Sequence, residues 1–385
     1  GTVVTASKAG AQFGCQLLWA VLFASIGTIV LQSLAARLAI ITGNGLGESI
    51  RSSLSGSRWL RPAVALVIAA IGVGNAAYQT GNLTGAVAGI SSITGGGATV
   101  WVVVLALLAT IIVSLGRYRI LHGALVGLVV LLSLFFLWTA LSSLPSADRI
   151  ARGLLVPQVT GESLSLVIGL IGTTIVPYNL FLHASGAAST PRSADQRVAI
   201  IHSQWDTVLA ISLGGLVTAS IVLTASSAFF DTHTPWSTTD QIAEQLRPTL
   251  GRASGIAFAL GLLGAGLTSS ITAPIATAYA ICGSLGWPTR PSSLAFRVIA
   301  ISVIVIGASL AIYWGSSPTA TILFAQVANG LLLPIVAVFL LHTVRRSGYA
   351  GSGGLTPVGL IVAWLVTCLV AALGAWRIIS ALISL

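Results

Sequence analysis

The sequence predicts an all-α integral membrane protein with about eleven spanning helices. Three observations predict it. Hydrophobic residues make up 55% of the 385 residues and charged residues only 7%, whereas a soluble domain carries about a quarter charged. The mean hydropathy is +0.98, and apolar runs of about 18 or more residues, enough to cross a bilayer core, recur along the chain. Forty-two glycines supply the small residues that let helices approach closely in lipid.

Residues 1–12 read as the second half of a helix. Continuous spans follow at about 15–41, 60–90, 98–116 and 120–144. Residues 163–189 form an apolar run interrupted at Thr173-Thr174-Ile175-Val176-Pro177. Further spans lie at about 203–230, 254–284, 294–313, 318–343 and 356–383. The longest connection, 231–253, is the one with room for a short surface helix. Residues 1–385 form a single transmembrane domain with no soluble part.

Loop charges orient the spans. One side receives twelve arginines: 37, 51, 58, 61, 117, 119, 192, 197, 290, 297, 345 and 346. The other receives five: 149, 152, 247, 252 and 377. By the positive-inside rule the first side is cytoplasmic, which makes this a multi-pass cell-membrane protein with a cytoplasmic N-terminus. The net charge of +10 is explained by these loops, so no nucleic-acid partner is expected. Cys15, Cys282 and Cys368 lie in apolar runs without CxxC spacing and read as small buried hydrophobes. With no methionine and a glycine first, the natural chain is expected to continue upstream of Gly1.

Pro177 breaks the helix that contains it. It lacks an N–H and disfavours helix at the preceding residue. Free carbonyls then end one half-helix and free N–H groups start the next, which membrane depth tolerates where they line a cavity. A plain proline kink is the structural alternative. A broken first helix and a broken sixth helix together match two inverted repeats of five, with the substrate between the breaks. The repeats would cover about 1–144 and 163–343, with an extra helix at about 356–383.

The residues at the breaks carry a family resemblance. Gly172-Thr173-Thr174-Ile175-Val176-Pro177-Tyr178-Asn179-Leu180-Phe181-Leu182-His183 resembles the sixth-helix motif G-A-T-V-M-P-H-N-L-Y-L-H of Nramp divalent-metal transporters. Ala9-Gly10-Ala11-Gln12-Phe13-Gly14 with Leu17-Leu18-Trp19 is similar to the segment after the Nramp first-helix motif D-P-G-N. Leu31-Gln32-Ser33-Leu34-Ala35-Ala36-Arg37-Leu38 with Thr42-Gly43, and Gln326 with Leu333-Pro334, resemble the second and tenth Nramp helices. The resemblance covers nearly the whole chain. It implies a LeuT-like fold of two inverted five-helix repeats and a secondary transporter working by alternating access.

The site departs from the family pattern. The resemblance implies a metal cage of the D-P-G-N aspartate and asparagine, the sixth-helix methionine sulfur and a backbone carbonyl. Thr2 takes the asparagine position, the aspartate position falls before Gly1, and Val176 replaces the methionine. Tyr178 replaces the first histidine of the sixth-helix motif, and His183 keeps the second. The third helix, acidic in the family, carries neutral Asn75, Tyr78, Gln79 and Asn82 at helical spacing. These read as a polar wall on the transport path or as hydrogen-bonding glue between helices. No carboxylate falls near the midplane; Asp206 lies near the start of the seventh helix. The single lysine, Lys8, lies inside the first broken helix. It faces the cavity, or snorkels to the interface or pairs with a neighbour.

The expected substrate set is Thr2, Thr5, Lys8, Thr173, Thr174, Val176, Tyr178, Asn179 and Gln326, with Asn75, Tyr78, Gln79, Asn82 and His183 along the path. An acid-free, hydroxyl-rich site with a nearby lysine favours a small anion such as bicarbonate. The alternative keeps the family activity: a divalent cation, Mn²⁺ or partly hydrated Mg²⁺, with or without proton coupling. No HExxH, GxSxG, P-loop or paired intramembrane carboxylates occur, so neither an enzyme nor a nucleotide-driven pump is expected. No cofactor is expected, and the chain is expected to act as a monomer in the bilayer.

Overall fold

The computed structural model describes residues 1–115, 119–191, 195–236, 238–314, 317–346 and 357–383. Arg117 and Arg192, two arginines of the cytoplasmic sorting, lie outside these residues, as do positions 116 and 356 at the ends of expected spans.

Every regular element among the described residues is helical. The first repeat region holds α1 (Thr2–Phe13), α2 (Leu18–Thr42), α3 (Leu46–Ser53), α4 (Leu60–Thr94), α5 (Ala98–Leu115) and α6 (Arg119–Ser142). A short α7 (Ala147–Leu155) follows, then α8 (Leu164–Thr174) and α9 (Pro177–Ala188). Next come α10 (Gln196–Ala225), a π-helical turn Ser226–Phe230, a 3₁₀ helix Thr239–Leu246 and the one-turn α11 (Arg247–Leu250). The chain finishes with α12 (Ser254–Leu285), α13 (Leu294–Tyr313), α14 (Pro318–Arg346) and α15 (Pro357–Ile383). Gly43 and Gly286 end α2 and α12 in the left-handed conformation, where a side chain would be strained.

Ten of the described helical segments are long and apolar enough to cross a membrane, counting α8 with α9 as one. The expected eleventh is α1, whose 12 residues reach only about 18 Å. Side chains such as Leu107, Leu134, Trp138 and Leu365 stand exposed on the outer faces of α5, α6 and α15, where lipid is the solvent.

Two expectations about short helices are corrected. The connection 231–253 is not alone in carrying one, because α3 and α7 also form; both are too short and polar to register as apolar runs. The 3₁₀ helix in 231–253 is no surface element either: Ile242, Gln245 and Leu246 are buried. The seventh span also starts earlier than expected, at Gln196. Asp206 therefore lies ten positions into α10, about 15 Å from its end.

The scaffold is built on α4, which packs along α12, α13 and α14. Glycines set the approach. A Cβ at Gly266 of α12 would stand 2.6 Å from the Ala86 nitrogen of α4, and one at Gly81 would stand 2.9 Å from Ala325 of α14. On the surface, Arg149 of α7 pairs with Asp231 beyond α10 at 2.7 Å. The Asp231 carboxylate holds the Arg149 guanidinium above its ordinary range by a direct hydrogen bond. A Gly266→Val substitution should force α12 off α4 and cost on the order of 1–3 kcal/mol or more. A fall in melting temperature, read by fluorescence-detected gel filtration, checks it.

Candidate substrate site

Pro177 fixes the break locally. It offers no N–H to the Thr173 carbonyl four residues earlier. Helix α8 therefore stops at Thr174, Ile175 leaves helical geometry at φ −90° and ψ 70°, and Val176 is extended at φ −77° and ψ 121°. Helix α9 restarts with proline in its first turn, where the missing N–H costs nothing. The Thr174 hydroxyl donates to the Leu170 carbonyl at 3.0 Å, and the Asn179 N–H to the Val176 carbonyl at 3.0 Å.

Two further prolines free carbonyls nearby. Pro274 sits inside α12 and Pro334 inside α14, so the carbonyls of Ser270 and Gly330 lose their helical donors. Gln79 Nε2 donates to the Ser270 carbonyl at 3.1 Å. Gly330 presses against the middle of α8: a Cβ on it would stand 2.6 Å from the Ile168 carbonyl oxygen.

Helix α1 delivers its first residues to this break. Thr2 Oγ1 and Thr173 Oγ1 share a hydrogen bond of 2.9 Å, and the Thr5 hydroxyl donates to the Gly1 carbonyl at 3.1 Å. Gln326 enters from α14. It is 0% exposed, yet neither its Oε1 nor its Nε2 has a hydrogen-bond partner. Thr5 and Gln326 both approach Gly169 of α8, and Gln326 also packs on Gly1. Asn329 is equally buried and its Nδ2 is also without a partner. Thr2, Thr5, Thr173 and Gln326 thus converge, with Thr174 beside them.

The other expected residues separate. Val176 is buried in a small cluster with Tyr78, Tyr178, Ala273 and Ala276. The Tyr78 and Tyr178 rings lie 5.4 Å apart at 55°. Asn179 and His183 line a cavity of about 940 Å³ between the C-terminal part of α9 and the N-terminal part of α10, together with Gln32, Asp195, His202 and Asp206. His183 Nε2 lies 3.1 Å from the Thr207 hydroxyl. Lys8 is half-buried, six positions along α1 from Thr2, about 9 Å further along the helix axis, and joins none of the ion pairs among the described residues.

The polar stripe of α4 splits. Asn75 Nδ2 donates to Thr277 Oγ1 of α12 at 2.6 Å, Gln79 bonds Ser270 of the same helix, and the Asn82 backbone abuts Gly266. Only Tyr78 reaches the break region. The reason is geometric: α4 lies between α12 and α14, so neighbouring positions on one helical face meet different partners.

The convergent groups are neutral oxygen donors: hydroxyls, freed carbonyls and one carboxamide. Among the described residues no three histidines, cysteines or acids are placed to hold a metal ion. Such a site suits a hard ion that keeps part of its water, not one that demands sulfur.

The family model for natural resistance-associated macrophage protein-like (Nramp) sequences matches residues 1–380. The chain belongs to the Nramp family. It is 27% identical to the divalent metal cation transporter MntH of Klebsiella pneumoniae strain 342, across 100% of this chain and 91% of that one. Its fold is similar to the manganese transporter of Eremococcus coleocola, with a TM-score of 0.74 at 23% identity, covering 97% of this chain and 81% of that one. It is also similar to MhsT solved with L-phenylalanine, with a TM-score of 0.58 at 15% identity over 99% and 98% of the two chains. The fold is the LeuT-like one, and this Nramp chain is a multi-pass secondary transporter, not an enzyme.

Asn329 and the Pro274–Ser270–Gln79 contact escaped the sequence reading. The first was signalled by its three-residue spacing from Gln326 and the second by the four-residue spacing from proline to Ser270. Because Gln326 is buried without partners, Gln326→Leu in this Nramp protein should leave the melting temperature unchanged or raised, while transport falls about tenfold or more. Thermal melts beside uptake assays check both halves.

Proposed function

We propose that this Nramp transporter carries a hard divalent cation, Mn²⁺ or Mg²⁺, by alternating access. The observation that carries the reading is the convergence of Thr2, Thr5, Thr173 and unpartnered Gln326 on the break between α8 and α9. Neutral oxygens replace some of the ion's water and leave the rest in place. Val176 offers no sulfur, so the softer transition metals lose their preferred ligand. The named function of MntH supports a metal substrate. The inner cavity supports it too. Among the described residues, those lining it include Asp195, Asp206, His183 and His202 but no lysine or arginine, in a chain of net charge +10. A cation released inward meets a favourable field there.

The bicarbonate expectation has no such support. Its anion site needed Lys8 at the break, and Lys8 sits about 9 Å further along α1. With Asn75, Gln79 and Asn82 neutral and engaged against α12, flux is proposed to run without proton coupling. The N-terminus is proposed to face the cytoplasm, the side to which the sequence assigns most loop arginines, and the working unit is proposed to be one chain.

Proteoliposomes loaded with ion-sensitive dyes test this. Saturable entry of Mn²⁺ and Mg²⁺, with no accompanying change in internal pH, is expected. Bicarbonate flux without divalent flux, from folded protein, would overturn it. Val176→Met restores a thioether and should sharpen inhibition by Cd²⁺ about tenfold, read as a fall in the half-inhibitory concentration.

A further inference from the structure

We propose that Glu48 is a positioning residue for transport, pinning α3 between broken helix α9 and the inner end of α12, and so setting how far the inner side opens. The proposal rests on the alternating-access reading, not on which ion moves.

Glu48 lies in the first turn of α3. Its Oε2 accepts from the Gly45 N–H at 2.8 Å, which caps the helix. Its Oε1 accepts from the Thr289 hydroxyl at 3.0 Å, in the turn after α12. One carboxylate therefore joins segments 241 positions apart. Arg51 Nη1 donates to the Ser284 carbonyl at 3.4 Å, at a helix end whose carbonyls lack helical donors. Glycines bring the backbones together. A Cβ at Gly47 would stand 2.8 Å from the Ala280 carbonyl oxygen of α12, and one at Gly45 would stand 3.0 Å from Ser185 Oγ of α9. Ser53 Oγ lies 3.4 Å from Thr343 Oγ1 of α14. Helix α3 thus touches α2, α9, α12 and α14 at once.

The same device recurs on the outer side. Between α10 and α12, the 3₁₀ helix Thr239–Leu246 is capped by Gln241, whose Oε1 accepts from the Thr238 N–H at 3.2 Å. It too packs on α12. The order of long span, capped short helix and long span is therefore repeated, with a carboxylate inside and a carboxamide outside. A charged acceptor bonds about twice as strongly as a neutral one, so the inner brace is the firmer. Helix α9 lines the cavity and packs on both α3 and α12, so a movement of α9 that widens the cavity works against the contacts α3 makes with α12. Losing the Glu48–Thr289 bond frees α3 to move with α9.

The test labels Ser203→Cys, in the inner cavity, with a membrane-impermeant maleimide applied from the inner side. Exposed Cys368 is replaced by serine; Cys15 and Cys282 are buried. Thr289→Val removes the bond and leaves the Gly45 cap, while Glu48→Gln keeps a cap acceptor without the charge. Each should raise the labelling rate by about tenfold, the size of one charge-assisted hydrogen bond. Each should also lower maximal uptake at unchanged half-saturation. The double variant should go no further than the singles, and Thr289→Ser should restore the parent rate. Unchanged labelling in both single variants, or additive effects in the double, would overturn the proposal. Labelling needs no substrate, so failure of the metal reading leaves this result intact.

Discussion

Backbone groups at membrane depth must find partners, and the rest of this structure follows from how three prolines break that rule. Pro177, Pro274 and Pro334 each remove a donor from a spanning helix. The carbonyls they free belong to Thr173, Ser270 and Gly330. At membrane depth such orphaned groups need side chains, a water-lined cavity or a ligand to meet them. Gln79 meets the Ser270 carbonyl and locks α4 to α12. Gly330 seats its backbone against Ile168 and Gly172 of α8. Beside the freed Thr173 carbonyl, the Thr173 hydroxyl shares a hydrogen bond with the Thr2 hydroxyl of α1, which closes the break onto the first half-helix.

Packing divides the molecule into firm and loose parts. Helices α4, α12 and α14 meet through glycines at near-backbone distance, which leaves little room for independent motion. The break region is different. Two residues, Ile175 and Val176, carry the chain between half-helices outside helical backbone geometry. Gln326 and Asn329 keep polar atoms unpaired there at almost no exposure. Unsatisfied buried polar atoms cost about 1–3 kcal/mol each, and a native fold keeps them where a ligand or a moving part uses them. Stability is conceded at the place where an ion is proposed to sit.

Two substitutions at the break separate this chain from the pattern its motifs resemble. Thr2 and Val176 occupy positions where the family pattern has asparagine and methionine. The polar stripe of α4 is turned to structural use, with two of its amides bonded across to α12. Acidic groups gather instead at the inner cavity, where Asp195 and Asp206 stand beside two histidines.

Much of this was fixed by local chemistry and so could be read from the chain. Hydropathy over windows of about twenty residues defines spans, because a helix must match the bilayer. Pro177 with Gly172-Thr173-Thr174 defines the break, because proline acts on its own four-residue neighbourhood. Thr2, Thr173 and Gln326 could be named as site residues on that basis together with the family resemblance. Short polar helices such as α3 and α7 left no such mark, since their form depends on docking, not on periodicity. Direction was also invisible. Asn75, Tyr78, Gln79 and Asn82 share one helical face in sequence, yet Tyr78 meets Tyr178 while Asn75 and Gln79 bond α12. Lys8 could be counted as the one lysine, but its distance from the break follows from where α1 begins. The sequence by itself determined which backbone groups would lack partners, because that depends on residues four apart. Only the tertiary structure decided what met them, because the partners come from helices up to hundreds of positions away.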